Sequence, residues 1–408
     1  MNKIRFAPLS EVCNYINEKI AVSELTTDNY ISTENMLPGK SGVIRASSLP
    51  AVSRVSKYGV GDVLISNIRP YFKKIWYASQ CGGVSNDVLI LRNKPNYKSR
   101  FLYYVLADDS FFAYSMASSK GTKMPRGDKD AIMKYEVPLI DTNVQEKIAK
   151  ILSQYDYLIE TNSRRIDILE DMAQRLYREW FVHFRFPGHE RVKLIESEIG
   201  LIPESWKITP FFKAIEANPK SKKPTADSYS FVEMAGLSNN LSSIQIKERR
   251  TSFSGSKFII GDTLVARITP CLENGKTGFV QCLKDGEVGT GSTEFIVFRS
   301  KMLTPEFVYL LARQDNFREI LIKSMTGASG RQRADIRSLK GYSVVVPPEN
   351  ILEAFSRFIQ PCYSEVQYLN VKNDTLRKTR DLLLPRLISG DIDVSELDIP
   401  IEGSVDNG

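Results

Sequence analysis

The chain is expected to fold as an α+β protein: two similar β-rich domains and an antiparallel pair of long coiled-coil helices, an internal duplication with pseudo-twofold symmetry. Three observations lead there. Residues 143–182 carry a sustained heptad pattern without Gly or Pro, the same pattern returns 207 residues later, and each copy follows a series of short strand signals broken by turns.

The first heptad stretch is the clearest. Ile148, Tyr155, Asn162, Leu169 and Leu176 form one series at sevenfold spacing; Leu152, Ile159, Ile166, Ala173 and Trp180 form the other. They alternate at spacings of four and three, the a/d seam of a coiled coil, with charged residues between. Asn162 is the polar exception, and one such residue sets register and partner number at some cost in stability. The second copy supplies the partner. Phe355, Cys362, Leu369, Leu376 and Leu383 match the first series at +207, and Ile359, Val366, Asn373, Arg380 and Leu387 match the second. Two unrelated amphipathic helices would not keep so constant an offset, which points to duplication of the whole chain. Pro361 and Pro385 predict a kink near the first and fraying near the second, because proline lacks the helical donor.

The pattern divides the chain into a domain at 1–142, a long helix at 143–182, a linker at 183–205, a second domain at 206–348, a second long helix at 349–389 and a tail at 390–408. In the first domain the strand signals are Gly42-Val43-Ile44, Asp62 to Ile65, Lys74 to Tyr77 and Asp87 to Leu91. Helical spacing runs from Phe101 to Ala117, a polar basic loop occupies 118–129, and Tyr135 to Pro138 leads into the long helix. The second domain repeats these features. GDVLISNIRP (61–70) matches GDTLVARITP (261–270), VSNDVLIL (84–91) matches GSTEFIVF (291–298), and FLYYVL (101–106) matches FVYLLA (307–312). The loop TGASGRQR (326–333) stands where KGTKMPRG (120–127) stood.

Composition is that of a globular protein: 408 residues, 42% hydrophobic, 25% charged, net charge +7. The apolar runs are too short to cross a bilayer, so no membrane partner is expected. The start lacks the apolar core of a secretion signal. Five scattered cysteines without a CxxC pair point to a reducing cytoplasm and away from structural zinc. Catalytic signatures are missing. Gly39-Lys40-Ser41 and Gly275-Lys276-Thr277 have Glu34 and Pro270 where a phosphate-binding loop needs its first glycine. The two histidines, His183 and His189, read as exposed linker residues. No catalytic residue, metal or cofactor is expected.

What remains is a set of basic loops. The first carries Lys120, Lys123, Arg126 and Lys129 with the hydroxyl of Thr122; its repeat carries Arg331, Arg333, Arg337 and Lys340 with Ser329. Cations beside small hydroxyls and free backbone N–H groups suit phosphate contact. Arg69, Lys73 and Lys74 flank the aromatics Tyr71 and Phe72, and Arg267 answers them in the second half. Arg126, Asn86, Arg331 and Gln332 are candidate base readers, since Arg pairs with guanine edges and Asn or Gln with adenine edges. Thr293 occupies the place of Asn86 in the repeat. A solvated turn explains any single loop; recurrence in both halves favours function.

The stretch QEKIAKILSQYDYLIETNSRRIDILEDMAQRLYREWFVHF (145–184) resembles the central conserved segment of the specificity subunit of type I restriction–modification enzymes. GLIPESW (200–206), YISTENM (30–36) and LLLPRLISGDIDV (382–394) fit the same family, so the resemblance covers nearly the whole chain. It implies two target recognition domains separated by the helix pair, a bipartite double-stranded DNA target, two methyltransferase subunits and, for cleavage, restriction subunits as partners. It implies no catalysis by this chain. The recognition domains vary most within the family, so base contacts do not transfer. The physical reading agrees: forty helical residues span roughly 60 Å, enough to set two readers on half-sites separated along a duplex of about 34 Å per turn. A duplicated coiled-coil scaffold that binds only proteins is the alternative from another class; a nuclease lacks any motif.

Overall fold

The computed structural model of the chain describes residues 4–246, 248–328 and 330–399. The chain divides into two compact units, Met1–Ile159 with Thr375–Gly408, and Glu160–Asp374. The division falls inside both long helices, so each unit owns half of each.

In the first unit, a four-stranded sheet runs in the order Cys13–Tyr15, Val88–Asn93, Val63–Ser66, Ile75–Tyr77. A second has the order Lys19–Ala21, Arg54–Tyr58, Gly82–Val84, Tyr30–Ile31, its last pair parallel. The expected strand at 42–44 is only an isolated bridge, Met36 to Val43, because Gly42 turns the backbone to φ +85°. The helical stretch expected over 101–117 is two helices, Ser99–Ala107 and Asp109–Ala117. Asp108 is extended there, and its carboxylate accepts the Ser110 N–H at 2.8 Å, capping the second helix.

The second unit repeats the first sheet as Ile215–Ala217, Phe295–Ser300, Thr263–Ala266, Thr277–Phe279. Its other sheet keeps the matching core strands Ser256–Phe258, Gly289–Gly291 and Tyr229–Val232, but its outer strand Glu248–Arg250 joins the opposite edge from Lys19–Ala21. The halves therefore share a core and differ in their edges. Residues 183–205 are more than a linker: Leu194–Ser197 and Gly200–Pro203 form a hairpin, and Phe186 packs against Trp206 at 5.2 Å. His183 is exposed as expected; His189 is half-buried, its Nδ1 2.9 Å from the Phe186 carbonyl.

The central helix, Thr142–Tyr177, continues as a π-helical turn, Arg178–Val182. The closing helix runs unbroken from Glu349 to Ile388. Both prolines lie on its exposed face; the helix is continuous through Pro361 and does not fray at Pro385, where Ser389 N–H still reaches the Pro385 carbonyl at 2.9 Å. It ends at Gly390, whose φ of +78° is open to glycine without strain.

Within each unit the helices pair antiparallel. In the first, Ile148 and Leu152 share a core with Leu387 and Leu384, while Asp156 meets Arg380. In the second, Asn162 bonds Asn373, Ile166 packs with Val366 and Leu369, and Trp180 meets Phe355. None of the twenty heptad residues is exposed; Tyr155, Ile159, Leu169, Leu176, Cys362, Leu376 and Leu383 are half-buried. Further residues are buried beside the seam, Ala149, Tyr177, Phe181, Tyr363 and Leu384 among them, because each helix also carries its own β domain.

The asparagine pair is buried on both sides, 4% and 2% exposed, with the Asn162 Nδ2 2.9 Å from the Asn373 Oδ1. Asn162→Leu orphans a buried amide and is expected to cost about 1–3 kcal/mol. The double variant Asn162→Leu/Asn373→Leu should recover much of that in urea unfolding. A single variant as stable as the parent would show that the pair carries no energy.

Candidate nucleic-acid interface

In the first unit three segments converge on one edge. Lys120 and Arg126 exchange two backbone hydrogen bonds of 2.9 Å and close the loop between them. That loop docks on the tripeptide Asn67-Ile68-Arg69: Arg69 N–H donates to the Pro125 carbonyl at 2.8 Å and Gly127 N–H to the Asn67 carbonyl at 3.1 Å. Asn67 N–H in turn donates to the Asp87 carbonyl at 2.8 Å. The approach at Gly127 leaves no room for a side chain, since a Cβ there would stand 2.8 Å from Asn67 Oδ1 and 3.0 Å from Ser115 Oγ. The Arg126 guanidinium then reaches Asp87 at 3.1 Å.

This geometry separates the candidate residues. Asn86, Lys120, Thr122, Lys123 and Arg126 are exposed on the edge. Lys120 is paired with Asp128 at 2.6 Å. Lys73 is bound to Asp109 at 2.7 Å, and Lys40 joins it at 2.9 Å. Partial burial pushes the Asp109 carboxyl up, but hydrogen bonds from Lys73 and Lys40 outweigh it and hold the group below its usual range. Lys74 points to the Thr33 carbonyl, and burial lowers its pKa. Lys74 thus ties the turn at 70–74 to the loop at 33–40 and Lys73 ties it to Asp109, leaving less charge for a ligand than the sequence implied. Arg69 sits at φ +50°, half-buried; its Nε, with Asn67 Oδ1 and Ser85 Oγ, is buried without a hydrogen-bond partner.

The second unit builds the same edge. Thr326 and Arg333 exchange backbone bonds of 3.1 and 2.9 Å; Thr269 N–H donates to the Gln332 carbonyl at 3.0 Å, Ala334 N–H to the Arg267 carbonyl at 2.8 Å, and Arg267 N–H to the Glu294 carbonyl at 3.0 Å. The closed loop is one residue longer here, so Arg333, not Gln332, is the counterpart of Arg126. Likewise Arg267 stands where the first unit has Asn67, and Thr269 where it has Arg69. Arg333 grips Glu294 through two nitrogens, Nε at 2.9 Å and Nη2 at 2.7 Å, and Arg267 Nε adds a contact at 3.3 Å. The Arg333 hydrogen bond, opposed by burial and supported by Arg267, holds the Glu294 carboxyl below its usual range. A depressed carboxylate keeps its partner down to acidic pH and releases it only as pH falls through the folded-state value, so the grip is intact near neutrality. Arg331 and Thr293 are exposed and Gln332 half-buried. Arg331 makes no ion pair among the described residues, and Ser329 lies outside them. Thr293 also borders an open groove of about 400 Å³ lined by Phe231, Glu233, Met234, Arg250 and Ser254.

Sequence reading missed Asn67, Asp87, Gly127 and Glu294. The available signal was the acid after Asn86 and after Thr293, the same place in both halves. Among the described residues, no cluster of three or more His, Cys, Asp or Glu could hold a metal ion, and no helix is long and apolar enough to cross a membrane.

Residues 2–171 match the family model for the type I restriction modification DNA specificity domain. That stretch resembles a type I specificity domain. The match ends within the central helix and takes in all three edge segments of the first unit. Relatives extend the likeness along the chain. It is 24% identical over 326 residues to the type I restriction enzyme MjaIX specificity subunit of Methanocaldococcus jannaschii, covering 74% of this chain and 71% of that one. It is 21% identical over 453 residues to the HindI specificity subunit of Haemophilus influenzae, covering 94% and 98%. The crystal structure of a type I restriction–modification S subunit from M. genitalium shares the fold, with a TM-score of 0.56 at 13% identity over 95% of this chain and 97% of that one. The first unit's edge recurs in the second unit at 267–269, 293–294 and 326–334, outside the matched stretch.

Proposed function

We propose that this chain is the sequence-specific DNA-recognition subunit of a type I restriction–modification complex. It reads a bipartite duplex with 1–142 and 206–348 as target recognition domains and holds two methyltransferase subunits, with restriction subunits added for cleavage. Catalysis belongs to those partners, and the complex works in the cytoplasm on DNA. One observation carries the reading: the same closed basic loop, docked on the same tripeptide and acid, is built twice, and the two copies differ in what they expose. Lys123 and Asn86 in one are answered by Arg331 and Thr293 in the other. Two copies of one reading edge with different side chains suit two unlike half-sites. Large apolar side chains exposed on the second unit's helices, Ile168, Met172, Phe358 and Tyr368, support docking of protein partners there.

The test is an exchange. Replacing residues 206–347 by the second domain of a relative, in the complex with methyltransferase, should change one half of the methylated sequence and leave the other intact. Mapping methylated adenines on random DNA reads the result. A change in both halves, or in neither, would remove the modular reading, and assembly without DNA selectivity would favour the protein-only scaffold.

A further inference from the structure

We propose that the ion pairs Arg126–Asp87 and Arg333–Glu294 are latches that position the two basic loops, and that Asp87, Arg126, Glu294 and Arg333 are positioning residues rather than readers of DNA. The inference rests on the function proposed above and assigns roles within that edge. Comparing the two halves carries it. Around the latch everything is kept: the backbone exchange that closes the loop, the docking on the tripeptide, and an arginine at the loop's end facing an acid just before the strand. The side chains around it differ: Asn67 against Arg267, Arg69 against Thr269, Asn86 against Thr293, and the loops are of unequal length. Two domains that read different bases must differ where they touch base edges, and are free to stay alike where they hold their shape.

The chemistry supports the division. Arg333 gives two donors to one carboxylate, and a guanidinium so engaged has fewer donors left for a base or phosphate. A carboxylate facing the duplex repels phosphate, so an acid is costly at that edge unless it holds something in place. Glu294 also gathers Arg267, whereas Asp87, one carbon shorter, pairs with Arg126. Arg331, exposed and free of ion pairs among the described residues, is left to read.

The experiment uses the full chain assembled with methyltransferase and selects targets from randomised duplexes, comparing Glu294→Gln, Arg333→Gln, their double variant and Arg331→Ala. If the pair is a latch, each single variant relaxes discrimination in the second domain's half-site by about threefold to tenfold, the scale of an exposed two-point ion pair. The double variant is no worse than either, and the other half-site is unchanged. Asp87→Asn should do the same to the first half-site. Non-specific affinity should hold or rise in Glu294→Gln, because a negative charge is removed. Loss in Arg333→Gln without loss in Glu294→Gln would make Arg333 a direct DNA contact and overturn the proposal. So would unchanged discrimination in both. Amide hydrogen exchange at Thr326 and Arg333 tests the latch without DNA: protection should fall in Glu294→Gln and stay in Arg331→Ala. If the unmutated complex selected no split sequence, the function would fail while this measurement still decided the latch.

Discussion

Replacing Arg380 with alanine is expected to destabilise the first unit by about 3–5 kcal/mol, the cost of breaking a buried ion pair from one side. Arg380 is 8% exposed and its Nη1 lies 2.6 Å from Asp156 Oδ1. The other oxygen of Asp156 accepts the Tyr104 hydroxyl at 2.5 Å. Burial alone would lower the Arg380 pKa; Asp156 and Asp381 outweigh it and raise the group above its ordinary value. Among the described residues, alanine leaves the half-buried Asp156 carboxylate with Tyr104 and, at 3.6 Å, Arg100. The same atoms join the closing helix, the central helix and the helix Ser99–Ala107 of the first β-rich domain, so loosening here should also loosen that domain's hold on its helices. Urea unfolding reads the loss. Asp156→Leu/Arg380→Leu should be much less damaging than Arg380→Ala, because it removes both charges. A loss below about 1 kcal/mol in Arg380→Ala would mean that water screens the pair.

Phe355→Ala should cost the second unit a similar amount, about 3–5 kcal/mol, by opening a cavity in an aromatic core. Phe355 is fully buried, its ring 4.7 Å from Phe181, 5.7 Å from Trp180 and 6.4 Å from Tyr177. These rings bring the start of the closing helix against the end of the central helix, and Phe181 continues the contact to Phe307 of the β domain at 4.7 Å. Tryptophan fluorescence should shift as Trp180 loses its neighbour, together with the fall in stability. Phe358, one turn away and 62% exposed, is the control: its alanine variant should change stability by less than about 1 kcal/mol. Equal losses at both positions would mean that the aromatic cluster does not concentrate the energy.

The helix pair was legible because heptad spacing is a local count. Ile148, Leu152 and Ile166 fall on one stripe whatever the rest of the chain does, and the +207 offset repeats the stripe with its partner. The count did not reveal the second stripe, with Tyr177, Phe181 and Tyr363, since burial there depends on which surface the domain brings up. Pro385 misled for a related reason: a missing donor frays a helix only where packing does not hold the rest, and Pro385 lies on the exposed face of a helix anchored along its other side.

The basic loops were legible as charge and their use was not. Lys73 and Lys74 look like free cations in sequence; folding sets them on Asp109 and the Thr33 carbonyl. Matching the loops by residue count aligned Arg126 with Gln332, and the backbone pairing moved that match to Arg333. By itself the sequence determined the duplicated architecture and the helix seam, since these rest on short-range spacing and residue identity. The tertiary structure alone decided which cations are bound and which are free. Arg333 and Glu294 are 39 residues apart, and no periodicity joins them. They meet because a loop and a strand end are docked on the same tripeptide, and a charge's role depends on the partner that folding puts within 3 Å of it.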